Sequence, residues 1–305
     1  MAVYRRSYTA YKGGVTPQWS RFTVLARYGF STLFESRPFT AYAVICLVPF
    51  LAGLTFIYFI HSASVQGLLH AWLYGRQPGQ LGLHTGGSLV NAEWFLYFLA
   101  VEAWMGFLAT AWVGPGMITR DFANQSVQLY LSRPLSRPEY LLGKASVLGV
   151  LLSCITWIPA LLLFGLQAVL EGGGWGWQHL WIARSIVVAG LMYILFIVLF
   201  SMAISVWVRW RIAATALMIG VFFLLPGFGE VMNLILRTHW GKLLNFPFVV
   251  SMVWAHLFRL PALQIHFAGF DQIPLWSAWA CLLVLCAFSL WVLDLRLKAR
   301  EVERG

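Results

Sequence analysis

The sequence predicts an all-α membrane protein with six transmembrane helices. Of its 305 residues, 60% are hydrophobic and only 10% are charged, whereas soluble domains average about 45–50% apolar and about 25% charged residues. The mean hydropathy of +0.75 agrees with this assignment. Six apolar, charge-poor stretches have about 20 residues each, the length that crosses a hydrocarbon layer about 30 Å thick. Disordered, collagenous, disulfide-scaffold and soluble-enzyme classes are therefore excluded.

The N-terminal segment, residues 1–38, is basic. It has neither an early apolar region nor a small-residue cleavage site, so we expect no signal peptide and an uncleaved first span. Within it, Trp19 to Glu35 has an apolar residue at every third or fourth position, which predicts a helix with one apolar stripe. The stripe consists of Phe22, Leu25, Ala26, Gly29, Phe30, Leu33 and Phe34. We expect this helix to lie in the membrane interface, and packing against a soluble neighbour is the alternative.

Six stretches are predicted to span the membrane. They are roughly Ala41 to Ile60, Trp94 to Val113, Val147 to Leu170, Ile182 to Val206, Ala213 to Val231 and Leu275 to Leu293. Many of the tryptophans fall near the ends of these stretches, where an amphipathic ring favours the headgroup layer. The spans and the segments that join them form the expected transmembrane domain, residues 39–295.

The positions of Lys and Arg predict the orientation, because cytoplasmic loops hold the excess of these residues. Of the 21, 16 lie before span one, between spans two and three, between spans four and five, or in the tail, residues 296–305. The other five are Arg76, Arg184, Arg237, Lys242 and Arg259. We therefore expect both termini in the cytoplasm and the chain in the plasma (inner) membrane. The net charge of +10 favours anionic lipid headgroups as a partner, and we expect no nucleic-acid partner.

Two segments on the opposite side differ in character. Residues 62–93 are polar and rich in glycine, and we expect them to be irregular. Residues 232–274 contain two short apolar runs interrupted by glycine, asparagine and proline. Neither run is long enough to cross, so we expect short re-entrant helices that dip back into the outer leaflet.

Motifs of soluble and membrane enzymes are missing from the sequence. It has no H-E-x-x-H, C-x-x-C, G-x-S-x-G or G-x-x-x-x-G-K-[ST] pattern, and Gly143-Lys144-Ala145 lacks both the upstream glycine and the Ser/Thr of a phosphate loop. Cys46, Cys154, Cys281 and Cys286 lie in apolar runs, so we expect buried thiols without disulfides. A metal site from His256, His266 and Asp271 is an alternative, but we expect no metal and no catalytic residues.

Glu102 is the ionisable residue that the predicted spans place in the membrane interior. A charge there is costly, and such residues face the bundle interior or a pathway. One interpretation is a neutral acid bonded to Thr156, Ser201 or Thr215; the other is a contact with substrate or with a transported proton.

The segment between spans two and three is the most informative part of the chain. Residues 131–137 read Leu-Ser-Arg-Pro-Leu-Ser-Arg, and Glu139-Tyr140-Leu141-Leu142-Gly143-Lys144 follows. This run resembles the permease subunits of type-2 ATP-binding-cassette (ABC) transporters. The sequence departs from the family pattern at residues 125–128, where Gln-Ser-Val-Gln stands in place of Gly-Thr-Leu-Glu.

The resemblance implies an architecture and a set of contact residues. The N-terminal helix would be the elbow helix of that family, and residues 118–144 would form a cytoplasmic coupling helix in a groove of a separate ATPase subunit. The residues that would contact the ATPase are Ser132, Arg133, Pro134, Leu135, Arg137, Glu139 and Tyr140. A basic loop that only holds the orientation against anionic lipid is the alternative interpretation.

The resemblance also implies the function. The chain would be the transmembrane permease subunit of an ABC transporter, and export would be its direction. It would have no nucleotide site of its own, so ATP and Mg would bind to the partner ATPase. A second permease subunit, identical or different, would complete the membrane domain. The alternative is a membrane-embedded enzyme acting on lipid or isoprenoid substrates, and a channel is a third hypothesis.

Overall fold

The fold is helical throughout the part of the chain that the structure describes. The structure is a computed structural model, and it describes residues 21–62, 89–123, 137–208, 210–260 and 273–302, in which no strand occurs. Six helical segments in these ranges are long and apolar enough to cross a membrane. They coincide with the six predicted stretches, so the predicted all-α fold with six membrane-spanning helices is confirmed.

The spans are built from single helices or from pairs of helices. Before them lies α1 (Arg21–Phe34). Span one is α2 (Arg37–Ile45) followed by α3 (Val48–His61), span two is α4 (Ala92–Ala123), and span three is α5 (Arg137–Ile155) followed by α6 (Trp157–Glu171). After the short α7 (Trp175–Gln178), span four is α8 (Leu180–Trp207) and span five is α9 (Arg211–Leu236). A 3-10 helix (Trp240–Leu244) and α10 (Phe246–Leu257) precede span six, α11 (Leu275–Val302).

The two ends of the bundle can be named from span one. We call the end that holds Arg37 the proximal end and the end that holds His61 the distal end. His61 Nε2 lies 3.0 Å from Glu171 Oε2, so the last residues of spans one and three meet at the distal end. Arg296 lies 4.9 Å from the ring of Trp207, so the last residues of spans four and six meet at the proximal end. The six spans therefore alternate in direction.

Prolines break spans one and three, which the sequence analysis treated as single apolar stretches. In span one the chain turns at Cys46 and Leu47, two residues before Pro49. In span three Thr156 leaves the helical conformation, with φ −99° and ψ −87°, three residues before Pro159. Since proline has no backbone N–H, it leaves the carbonyl four residues earlier without its helical donor. The affected carbonyls are those of Ile45 and Ile155.

Span two contains Pro115 but continues as one helix, because span five supplies the missing donor. The carbonyl of Ala111, four residues before Pro115, accepts a hydrogen bond from Thr215 Oγ1 at 3.1 Å. The next carbonyl, that of Trp112, accepts from Arg211 Nη2 at 3.1 Å. Spans two and five are therefore joined through backbone groups around the proline.

Span four lies at the centre of the bundle and packs against span two along its length. Tyr193 Oη donates to the carbonyl of Ala103 at 2.6 Å. Nearer the proximal end, Thr119 Oγ1 donates to the carbonyl of Ser205 at 3.2 Å. Because these hydroxyls are buried, each would be costly to leave unbonded in an apolar interior. The bonds therefore fix the register between the two spans.

Helix α1 forms as predicted, and two residues of its predicted stripe pack against the bundle. Phe30 and Leu33 pack against the hydrophobic core. Gly29 lies against the buried Val147 of span three, where an added Cβ would come within 2.8 Å of a Val147 methyl group. Phe34, also in the predicted stripe, is 48% exposed. The location of this helix in the membrane interface stays a prediction.

The chain between spans five and six folds back along the bundle. Span five ends at Leu236, and the next residue, Arg237, turns the chain with a positive φ of 49°. Gly229 and Gly241 then allow the 3-10 helix to approach span five closely, because a Cβ on either glycine would collide with the carbonyl oxygen of the other. Helix α10 begins beside Phe196 in the middle of span four and ends where Ser185 Oγ donates to the carbonyl of Leu257 at 2.7 Å. The predicted short helices are present in the described residues, and their depth in a membrane stays a prediction.

Two expectations about individual residues need correction. All four cysteines carry free thiols, but only Cys46 is buried, and Cys154 is exposed on the outside of the bundle. Apolar flanks locate a residue in the membrane and do not determine which side of its helix it occupies. Glu230 is a second carboxyl group within a span, since it lies inside both the predicted fifth stretch, which ends at Val231, and the observed span five, which ends at Leu236. In contrast to Glu102, it is exposed.

Candidate functional site: the proximal ends of spans two and three and the buried Glu102

The segment predicted to contact an ATPase joins the proximal ends of spans two and three. Ser132, Arg133, Pro134 and Leu135 lie outside the described residues, as do all of residues 124–136. The predicted segment 118–144 is helical at both described ends, because α4 continues to Ala123 and α5 begins at Arg137. The residues between them are therefore anchored directly in two spans.

Glu139 and Tyr140 lie in the first turn of span three. The side chain of Tyr140 is only 1% exposed, and Lys144 Nζ lies 6.0 Å from its ring centroid. Glu139 is half-buried. Tyr140 thus packs within the chain and holds the first turn of span three in place. Its contact with an ATPase stays a prediction.

The proximal end of span two is fixed in the same way. Ile118 is 1% exposed and Thr119 is 2% exposed, and Thr119 is the residue that bonds to Ser205 of span four. A displacement of the segment after Ala123 would therefore act on two helices whose ends are packed into the bundle. This arrangement suits a segment that transmits force.

Glu102 lies inside the bundle, as predicted, with 0% of its side chain exposed. Its expected hydrogen bonds are absent: neither carboxyl oxygen has a partner within the part of the chain that the structure describes. Thr156 instead donates to the carbonyl of Leu152 at 2.7 Å, and Thr215 donates to that of Ala111. The hydroxyl of Ser201 is likewise unpartnered among the described residues.

Glu102 faces the breaks in spans one and three. It lies near Tyr42 and Cys46, at the break in span one. One turn further along span two, a Cβ on Gly106 would meet Leu152 and Thr156, at the break in span three. The hydroxyl of Tyr42 donates to the carbonyl of Met105 at 2.6 Å. A buried carboxyl group therefore lies next to two places where the backbone has left the helical pattern.

The sequence could indicate Glu102 but not its surroundings. An isolated carboxyl group in an apolar run is visible in any hydropathy plot, and Pro49 and Pro159 are visible breakers. Only the packing of spans one, two and three brings these features together.

An aromatic crevice on the other side of span two was not predicted. It lies between spans two, four and five and α10, and its walls include Trp104, Phe107, Tyr193, Phe196, Phe222 and Trp254. Its volume is about 50 Å³, which leaves no room for an organic substrate in this conformation. A substrate could pass here only after the surrounding helices separate.

Metal binding finds no support in the described residues, where no three His, Cys, Asp or Glu side chains come together. His256 lies near the end of α10. His266 and Asp271, the other two members of the alternative metal site, lie outside the described residues.

The chain matches a known protein family. A model described as ABC-2 family transporter protein matches residues 103–293. The matched region runs from the middle of span two into span six and includes the segment between spans two and three. No curated protein matches the chain.

Proposed function

The chain belongs to the ABC-2 transporter family and is a membrane permease of an ABC transporter; from this premise we propose that it is an export subunit driven by a separate ATPase. The observation that carries the proposal is the family match over residues 103–293, which takes in the connection between spans two and three. ATP and Mg would bind to the ATPase, because the sequence contains no phosphate loop.

We propose that the proximal end of the bundle is cytoplasmic. The charge distribution supports this orientation, because the termini and the connections on that side hold most of the Lys and Arg. Both termini would then lie in the cytoplasm, and the membrane would be the plasma (inner) membrane. Residues 232–274, between spans five and six, would form the segment that re-enters the outer leaflet.

The ATPase would act on the connection between spans two and three. Arg133 and Arg137 would donate charge-assisted hydrogen bonds to the ATPase, and the neighbouring leucines would fill an apolar groove. The packed residues Ile118 and Tyr140 would then carry the movement into spans two and three. A second permease subunit, identical or different, would complete the pathway.

The alternative of a membrane-embedded enzyme has no support from the family match. Such an enzyme would need a nucleophile, base or metal ligands that converge at one depth. In the described residues Glu102 stands without a second catalytic group at hydrogen-bond distance.

We expect a neighbouring reading frame to encode the ABC ATPase, and the test uses that ATPase. We expect the ATPase to co-purify with the wild-type chain and to lose affinity by roughly one to a few powers of ten in the Arg133→Ala, Arg137→Ala double variant, because each charge-assisted bond is worth about 1.5–3 kcal/mol. Arg5→Ala, Arg6→Ala is the matched control, since it removes two arginines from the N-terminal segment, which the charge distribution predicts on the same side of the membrane.

The purified chain without the ATPase should hydrolyse no ATP. Hydrolysis by the chain alone would contradict the division of labour between two subunits. Equal ATPase binding by both double variants, with equal hydrolysis, would show that the connection between spans two and three is only an orientation signal.

A further inference from the structure

The distal ends of spans one and three are joined through polar side chains. His61, the last residue of α3, places its Nε2 3.0 Å from Oε2 of Glu171, the last residue of α6. The same oxygen accepts a hydrogen bond from Nε2 of Gln167 at 3.0 Å. Gln167 is 0% exposed, whereas the side chains of His61 and Glu171 are 15% and 34% exposed. Protons from water on the distal side can therefore reach a contact that is partly buried.

Both ring nitrogens of His61 face oxygen atoms. Nδ1 lies 2.9 Å from the carbonyl oxygen of Ile57, and because a carbonyl only accepts hydrogen bonds, Nδ1 carries a hydrogen. A neutral imidazole has a single N–H, so its Nε2 would then direct a lone pair at the carboxyl oxygen of Glu171. The arrangement is favourable only with one more proton between His61 and Glu171.

The hydrogen bonds place this additional proton on His61. Oε2 of Glu171 also accepts from Gln167, and an ionised carboxylate oxygen can accept several hydrogen bonds at once. The contact is then a charge-assisted bond from an imidazolium to a carboxylate. Because both nitrogens of the ring are already engaged, a further partner would have to displace Ile57 or Glu171.

The helices packed against α3 and α6 contribute no second ion pair to this contact. They are α4, α5, α7 and α8. Their titratable side chains near the distal end, together with that of α3 itself, are Tyr58, Glu93, Tyr97, His179 and Arg184. Within the described part of the chain, none of these makes an ion pair with His61 or Glu171. Glu171 is therefore the charge that holds the proton on His61 there.

We propose that His61 and Glu171 form a proton-dependent contact that ties α3 to α6 at acid pH. Histidine side chains gain and lose a proton between about pH 5 and 8. The imidazolium makes the contact, so the contact is present below this range and is lost as the pH rises through it. Without the proton a lone pair faces the carboxylate, and the ends of α3 and α6 separate. With the proposed orientation of the chain, the pH outside the cell would control the outer end of the bundle.

The test measures the distance between the distal ends of α3 and α6 in the full chain in nanodiscs. Spin labels are attached at Tyr58→Cys and Val169→Cys, which replace side chains that are 62% and 79% exposed, and the distance is measured by double electron–electron resonance at about pH 5 and about pH 8. The share of the short distance should fall about two- to fivefold at the higher pH, the size expected for a partly exposed ion pair. The native cysteines are replaced by alanine at Cys46, Cys154, Cys281 and Cys286.

Two variants separate the proton from the contact. His61→Phe removes the ring nitrogens, so its distances at both pH values should match those of the wild type at about pH 8. Glu171→Gln supplies an amide that accepts from a protonated histidine or donates to a neutral one, so the short distance should persist at both pH values. Gln167 can turn its amide to suit either form, since its Oε1 has no partner among the described residues.

His70→Gln, His84→Gln is the matched control, since it removes two histidines from the connection after span one and keeps His61 and Glu171. Its response to pH should equal that of the wild type. The proposal is wrong if the wild-type distances are the same at both pH values, if the response survives in His61→Phe, or if the control loses it. Nanodiscs expose both ends of the bundle to one buffer, so these results depend neither on the orientation nor on the ATPase.

Discussion

At Glu102, a carboxyl group is enclosed by spans one, two and three without a hydrogen-bond partner among the described residues. A buried polar group without a partner costs folding free energy. Glu102 therefore lowers the stability of the folded chain. Carboxyl groups inside membrane spans mark pathways for substrates or protons. Stability and function can be separated at this position.

Glu102→Leu should raise the thermal stability of the chain, by about 1–3 kcal/mol, because it removes an unpartnered polar group without breaking a described hydrogen bond. If Glu102 takes part in the transport cycle, ATP hydrolysis by the complex with its ATPase should fall in this variant and should be retained better in Glu102→Gln. Glu230→Leu is the control, since Glu230 is exposed. Unchanged hydrolysis in Glu102→Leu would exclude a role in the cycle.

At the scale of elements, α1 depends on one close approach. Gly29 leaves no room for a side chain against Val147, which is fully buried and cannot move aside easily. A helix that packs on the bundle through a single glycine should be displaced by a larger residue at that position.

Gly29→Leu should therefore destabilise the contact between α1 and span three by about 1–3 kcal/mol. We expect faster trypsin cleavage after Arg27, which lies in α1, while the six spans stay folded. Gly149→Leu, in span three, is the control because an added Cβ at Gly149 has nothing within 4 Å. Equal cleavage of the two variants would show that α1 does not dock through Gly29.

The elements were predictable where they depend on local pattern. The length of the apolar stretches predicted the six spans, and the periodic stripe from Phe22 to Phe34 predicted α1, because each signal lies within one continuous segment of the sequence. The breaks at Cys46 and Thr156 were not predicted, because they do not interrupt the apolar stretches from which the spans were assigned. Pro49 and Pro159 are the residues that signal them. The surroundings of Glu102 could not be predicted, since they depend on which faces of three spans meet.

At the scale of the whole molecule, the orientation in the membrane depends on two features. One is the alternating direction of the spans, and the other is the side on which the basic residues lie. The structure establishes that the ends of the spans alternate, and the charge distribution predicts which end faces the cytoplasm. Orientation can therefore be tested without knowledge of the substrate or of the ATPase.

In a variant that lacks the four native cysteines, a single cysteine at Gln80 should react with an impermeant thiol reagent added to intact cells. A single cysteine at Ser136 should react only after the cells are opened. The two positions lie in connections on opposite sides of the predicted topology. The reverse pattern of labelling would invert the orientation, and labelling of both positions in intact cells would contradict the six-span arrangement.

The breaks in spans one and three also have a mechanical consequence. Helices α3 and α6 both start at these breaks, they touch where Gly53 lies against Leu163, and at their far ends His61 and Glu171 are bonded. Because α3 and α6 start at neighbouring breaks and are bonded at their far ends, we expect the two helices to move together. Tilting one half-span therefore tilts the other, and Glu102 lies beside the common pivot.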